Sequence, residues 1–385
     1  MRRILEPVRE FFRKGDVLLL SLCLAASILG MMLIFSATRY SASLHSAVCK
    51  QAFATALGVI GYMVLSFVDV ELIIDRLWKA LIAFNILFLL ILIPFGNDGG
   101  TGNKSWIELP LVPFNIQPAE IVKLSFVLLL AAQFSFLQDR GLNRPSSIAQ
   151  AAGHTLFLCA LICVVSGDMG MALVYLFIFV VMAWAAGVKL RWFVLGGAAA
   201  GALGYLAWPH LPQYIQMRIL VVFDHSLDPL DKGFHQSRSI LAIGSGQLAG
   251  QGYLNGTQTQ SAASSALPAR HTDFIFSVAG EELGLVGCLI IIVLLLAIIL
   301  RCVWVSRTAR SPICAYIAMG YAGMLMIQTL LNIGMCLFVS PVVGLTLPFI
   351  SYGGSSILTL YAAMGIVSGI KMRSLPSWLR DRSNI

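Results

Sequence analysis

The sequence predicts an all-α, polytopic membrane protein of about ten transmembrane helices, with a large extracellular loop between spans 7 and 8. Three observations carry that prediction. Hydrophobic residues make up 58% of the chain and charged residues only 11%, where a soluble domain carries about 25% charge. The apolar residues come in runs of roughly 18 or more, the length that crosses a bilayer. The Lys and Arg residues gather in alternate connecting segments, as the positive-inside bias requires.

Taken in order, the runs place spans near Val17–Ser36, Gln51–Val68, Trp78–Phe95, Ala119–Phe136, Ile148–Val165, Met169–Ala186, Trp192–Trp208, Phe274–Leu300, Ile313–Val339 and Ser355–Met372. The Arg-rich start lacks a small-residue cleavage site, so the first run reads as an uncleaved span and not a signal peptide. One set of alternate segments holds Arg2, Arg3, Arg9, Arg13 and Lys14, then Arg76 and Lys79, Arg140 and Arg144, and Lys189 and Arg191. The same set continues with Arg301, Arg307 and Arg310, and ends with Lys371, Arg373, Arg380 and Arg382. The opposite side and the spans hold the smaller share of the 26 cations. Both termini are therefore expected in the cytoplasm, which an even span count also requires. The net charge of +8 belongs to these short loops and does not call for nucleic acid.

Two outer segments exceed a turn: Gly96–Gln117 and residues 209–272, much the longest non-spanning stretch. Loops of that length are usually functional or disordered, and this one is neither low-complexity nor strongly polar. Within it, Phe234–Leu248 reads as an amphipathic helix near the outer leaflet, with Ile240, Leu241 and Ile243 on one apolar face. IGSGQLAGQG follows no strand and has no phosphate-loop spacing, so it reads as a turn that folds the loop back. The eight Cys fall mostly in apolar runs, without CxxC or Cys/His ligand spacing. Neither a zinc site nor a disulfide framework is indicated.

Most acids flank cytoplasmic loops, where they are solvated or paired. The informative ones lie at span ends or inside spans, where an ionisable group is costly without a partner or a task. Glu120 and Lys123 share one helix face, so an ion pair that orients one span is expected; Lys123 reaching an anionic ligand is the lesser reading. Asp168, in SGDMGMALV, reads as a helix N-cap or as a group facing a cavity between spans. Glu281 and Glu282 read as packing residues that meet an Arg or a backbone group. Asp273 stands beside Arg270 and His271, and chemistry alone leaves two readings. Either Asp273 or Thr272 caps the eighth span, or the carboxylate acts on a ligand. The outer cations Arg39, Lys50, Lys104, Arg218, Arg238 and Arg270 suit an anionic lipid headgroup, a diphosphate in particular.

Several long stretches then carry a resemblance. GFHQSRSILAIGSGQLAGQGYLNGTQTQ, LPARHTDFIFSVAGEELGLVG and NIGMCLFVSPVVGLTLPFISYGGSS resemble the SEDS family (shape, elongation, division and sporulation) over nearly the whole chain. KSWIELP, NIQPAEIVKLS and GDMGMALV fit its earlier spans. GTQTQ before LPARHTDFIF is closer to the RodA (elongation) branch than to the FtsW (division) branch. The resemblance implies one SEDS-type domain over residues 1–385 that polymerises lipid II, a polyprenyl-diphosphate disaccharide-pentapeptide, at the outer face of the cytoplasmic membrane. It implies a class B penicillin-binding protein as transpeptidase partner, and membrane lipids as surroundings. The family's required aspartate falls on Asp273, and its motifs also bring forward Glu120, Lys123 and Asp168. Three positions depart from the family's pattern: Ala269 stands for an acid, Val343 for Thr and Gln247 for Gly.

The reaction so implied needs a general base for the attacking hydroxyl and cations for the leaving diphosphate. Asp273 is the expected base. Arg218, Arg238 and Arg270 are the expected headgroup contacts, with Lys104 and Lys123 behind them and Glu120, Asp168 and His271 in support. A divalent cation, Mg or Mn, could share the diphosphate charge, although no protein-only metal cage is visible. A lipid II flippase and a non-catalytic scaffold for the transpeptidase are the competing readings.

Overall fold

The computed structural model describes residues 9–39, 44–97, 104–108, 110, 113–224, 233–261 and 267–374, the side chains of Leu44, His45 and Tyr214 excepted. Both chain ends lie outside the described residues, as do Asp98, Asp228, Asp231 and Lys232. Among the described residues, ten helices are long and apolar enough to cross a membrane. In order, α1 is Val17–Thr38, α2 Leu44–Phe67, α3 Val70–Leu90, α4 Pro118–Arg140, α5 Pro145–Ser166, α6 Met169–Ala186 and α7 Leu190–Ala207. Two shorter helices follow in the long segment after α7, α8 at Gln213–Phe223 and α9 at Phe234–Gly246. The last three spans are α10 at Ile275–Thr308, α11 at Pro312–Cys336 and α12 at Gly354–Met372.

Local sequence explains the ends. Asp16, Asp69, Asp168 and Ser311 each accept a backbone N–H of the following turn, the usual work of an N-cap. Pro118, Pro145 and Pro312 stand at the first helical position, where a missing N–H is harmless. Helix α3 starts at Val70 and not near Trp78, because its first two turns are charged and do not register as apolar. Asp69 and Glu71 there meet Arg310, at 2.9 and 2.5 Å. Asp16 takes a bidentate bond from Arg301 at 2.9 and 3.0 Å. These pairs lock the Lys/Arg-rich end of the bundle.

Helices α4, α11 and α12 form the interior, with two thirds or more of their apolar windows buried. By contrast, α7 has no buried residue. Helix α9 corrects the sequence reading of its apolar face. Its buried side is Gln236, Ser239, Ala242 and Gly246, pressed on α10 and α11. Ile243 joins that side against Gly280, whereas Ile240 and Leu241 face outward. Small residues allow close approach to α10, and a row of large apolar side chains would not.

Helix α10 breaks at Gly284, with φ 67° and ψ −162°, a conformation that favours glycine. The turn after α9 fills the break. Gln251 and Gly252 donate to the carbonyls of Glu281 and Glu282, while Leu285 and Val286 donate back to Gln247 and Leu248. The expected fold-back of IGSGQLAGQG is thus a backbone plug in a helix. Gln247 takes φ 50° there, which is why glycine suits that position in the family's pattern.

A candidate active site at Asp273

The turn that carries Asp273 is built from its own backbone first. Ala269 takes φ 45°, and its carbonyl accepts the N–H groups of Thr272 and Phe274 at 3.1 and 3.2 Å. Helix α10 then starts one residue later than a cap at Asp273 would require. Phe274 occupies the cap position, without a side-chain bond, and Thr272 Oγ1 returns to Ala269 O at 3.2 Å. The capping readings of Asp273 and Thr272 are therefore corrected. Among the described residues no donor reaches the Asp273 carboxylate.

The backbone around it is held tightly. His271 O accepts Tyr352 N at 2.9 Å, Thr272 O accepts Ser351 Oγ at 2.6 Å, and Asp273 O accepts Asn332 Nδ2 at 2.9 Å. Three consecutive carbonyls are fixed by α11 and by the loop leading into α12. The side chain is left half-buried and free, with Oδ2 facing Gly344. Burial pushes its pKa up to about 6, and the nearby charge of Asp168 adds to the rise.

Asp168 is both things the sequence allowed. Oδ1 caps α6 through Met171 N at 2.9 Å, and Oδ2 accepts Gln117 Nε2 at 2.9 Å. Burial raises its pKa, with Met171 N opposing and Glu120 adding to the rise. Glu120 and Lys123 form the expected pair, at 2.8 Å and almost wholly buried. Lys123 is 0% exposed, so its ammonium serves Glu120 and does not stand open to a headgroup. The N-terminal ends of α4 and α6 and the Asp273 turn thus converge.

The cations are dispersed around this point. Arg270 donates through Nη1 to the carbonyls of Gln258, Thr259 and Ser261. Arg238 lies 5.3 Å from the Phe234 ring. Exposed Arg218 depresses the pKa of His235, behind the larger effect of burial; the His235 ring is 6.0 Å from that of Phe274. Burial lowers the pKa of His271, with Arg270 adding to it, and its ring stands 5.7 Å from Tyr352. Lys104 is exposed beside the bridge between Asn97 and Trp106, with no described contact to the turn.

Glu281 has a larger part than packing. It accepts Thr257 Oγ1, Gln258 N, Thr259 N and Thr259 Oγ1 at 2.6 to 3.1 Å. Glu282 accepts Ser36 Oγ and Gln260 Nε2. Among the described residues no Arg bonds either one; the donors come from GTQTQ and α1. Glu281 thus anchors the segment whose carbonyls hold Arg270, three residues before Asp273. The sequence assigns no role to Asn332, Ser351 and Tyr352, and only packing to Glu281, because their partners lie far along the chain. Among the described residues no three His, Cys, Asp or Glu side chains gather as a metal would need.

This fold and site define a polytopic helical membrane protein with a lone, unspent carboxylate at the bundle end opposite the Lys/Arg-rich one. The chain belongs to the FtsW/RodA/SpoVE family of cell cycle proteins, whose model matches residues 16–375. It is 33% identical over 366 residues to a probable peptidoglycan glycosyltransferase FtsW of Geobacter sulfurreducens, covering 93% of this chain and 95% of that protein. It is equally 33% identical, over 299 residues, to the peptidoglycan glycosyltransferase MrdB of Escherichia coli K12, covering 76% and 77%. Among solved structures, a chain of a peptidoglycan synthase complex that coordinates polymerization and crosslinking matches with a TM-score of 0.79. Identity there is 29%, with 96% of this chain and 99% of that one covered. The rod shape determining protein RodA of Thermus thermophilus matches with a TM-score of 0.68 at 27% identity, covering 94% and 98%.

Proposed function

We propose that the chain is a peptidoglycan glycosyltransferase that polymerises lipid II at the outer face of the cytoplasmic membrane, with Asp273 as its general base. The observation that carries this is the contrast at Asp273: a clamped backbone and a carboxylate with no structural bond to satisfy. A pKa near 6 leaves that group mostly ionised at neutral pH yet still basic enough to take a proton.

The acceptor GlcNAc 4-hydroxyl attacks the donor MurNAc C1. The new C1–O4 bond forms as the bond from C1 to the diphosphate oxygen breaks, and Asp273 receives the hydroxyl proton. The α-linked donor becomes a β-1,4 glycan in one inverting displacement. Undecaprenyl diphosphate leaves as an anion and needs no acid, so one carboxylate suffices, unlike the paired carboxylates of glycosidases. Arg270, Arg238 and Arg218 are the cations for the diphosphate, and a divalent cation, if used, would share that charge next to Asp273 and Asp168. Glu120, Asp168 and His271 keep supporting roles. The sealed Glu120–Lys123 pair favours polymerisation over flipping, which would need those groups open to a path. The partner is a class B penicillin-binding protein, and GTQTQ favours the elongation branch; the FtsW and MrdB relatives are both 33% identical, the FtsW match being the longer.

The test is polymer formation from purified lipid II, with and without a cognate transpeptidase. Asp273→Asn should lose on the order of a hundredfold or more. Wild-type rates in a folded variant remove the base assignment. Translocation of labelled lipid II by proteoliposomes that form no polymer removes the enzyme reading.

A further inference from the structure

The bundle carries a groove that the proposed chemistry does not use. It lies between α3, α4 and α5 at the Lys/Arg-rich end and encloses about 740 Å³, within the roughly 300–1,000 Å³ of small-molecule sites. Trp78 and Phe136 wall its mouth, and each carries a cation on its ring. Lys79 Nζ is 5.4 Å from the Trp78 centroid, and the Arg140 guanidinium is 4.1 Å from that of Phe136. Both cations are exposed, and among the described residues neither forms an ion pair. Asp75 is the acidic residue of the lining, so the mouth keeps a net positive charge.

Inside, Ile82, Leu129 and Phe157 give an apolar bed. The deep end is polar. Asn85 is 1% exposed, accepts from Ser125 Oγ, and leaves Nδ2 unpartnered; beside it Gln133 bonds His154 at 2.9 Å. Asp75 to Asn85 is about 15 Å of helix, half of a hydrocarbon core of about 30 Å. A partner's spanning helix would overrun such a groove, whereas a lipid of one leaflet ends where the groove ends. Basic pockets between spans on the cytoplasmic side are suited to anionic headgroups, and a guanidinium meets phosphate through two parallel N–H donors.

We propose that this groove binds one anionic phospholipid of the cytoplasmic leaflet. The phosphate sits between Lys79 and Arg140, and one acyl chain runs along α4 toward Asn85. The leaflet rests on the positive-inside orientation; the site does not depend on the reaction at Asp273.

The test is native mass spectrometry of the full chain in detergent, with phosphatidylglycerol or phosphatidylcholine of matched chains added. One retained phosphatidylglycerol is expected, preferred on the order of tenfold for two cations. Lys79→Gln with Arg140→Gln, both surface changes, should equalise the two lipids. Ile82→Trp should block retention of either, with folding checked by its elution and melting. Equal retention by the wild type overturns the proposal. So do an unchanged preference in the double variant, phosphatidylglycerol still bound in a folded Ile82→Trp, or a polyprenyl phosphate held in preference to phosphatidylglycerol.

Discussion

At the scale of single residues, Asp273 and Lys123 show opposite uses of a buried charge. Asp273 is raised to about 6 by burial first and by Asp168 second. A base must be deprotonated, so kcat/KM should fall as pH drops through about 6, and Asp168→Asn should move that limb to lower pH. The folded state holds this proton more tightly than the unfolded one. Its contribution to stability is therefore present in acid and lost as pH rises through about 6. Asp273→Asn should melt above wild type at pH 8, with the gap closing toward pH 4. Lys123 is instead spent on Glu120. Lys123→Met strands a buried carboxylate and should cost about 3–5 kcal/mol. Adding Glu120→Gln should recover most of that loss, measured by unfolding in detergent as a double-mutant cycle.

At the scale of elements, the break in α10 organises the Asp273 end. A continuous helix would have satisfied its own carbonyls at Glu281 and Glu282; at the Gly284 break they take N–H groups from the turn after α9. The two Glu side chains then bind the GTQTQ segment, and that segment holds Arg270. Glu281→Gln sets an amide donor against donors and removes charge-assisted bonds worth about 1.5–3 kcal/mol each. Amide exchange at Gln258 and Thr259 should quicken, and kcat/KM should fall as Arg270 loosens, while α4 and α12 keep their protection. Unchanged exchange at those two amides would show that Glu281 does not anchor the segment. Sequence patterning could place these two acids on α10 but not find their donors, which lie 22 to 24 residues upstream in a loop and, for Glu282, also on α1 at Ser36.

At the scale of the whole molecule, charge is sorted along the bundle axis. Arg301, Arg310 and Arg373 tie Asp16 and Asp69 at one end; at the other, Asp168 lies near enough for its charge to raise the pKa of Asp273. By the positive-inside bias, that sorting predicts the Asp273 end outside. In a Cys49→Ser background, needed because Cys49 is exposed, Lys104→Cys should react with a membrane-impermeant maleimide in intact cells. Arg144→Cys should react only after permeabilisation, and the reverse pattern would invert the topology.

Composition and run length determined the class and the ten spans, and cation placement predicts which segments face inward, because hydropathy and the bilayer act on local sequence. The HTDFIF and GDMG motifs brought forward Asp273 and Asp168 without any contact being known. Only the tertiary structure decided that Asp273 is no cap, that Asn332, Ser351 and Tyr352 grip its turn, and that Lys123 is sealed. Those outcomes depend on where chain segments meet across the bundle, and a pattern that repeats every few residues holds no record of such meetings.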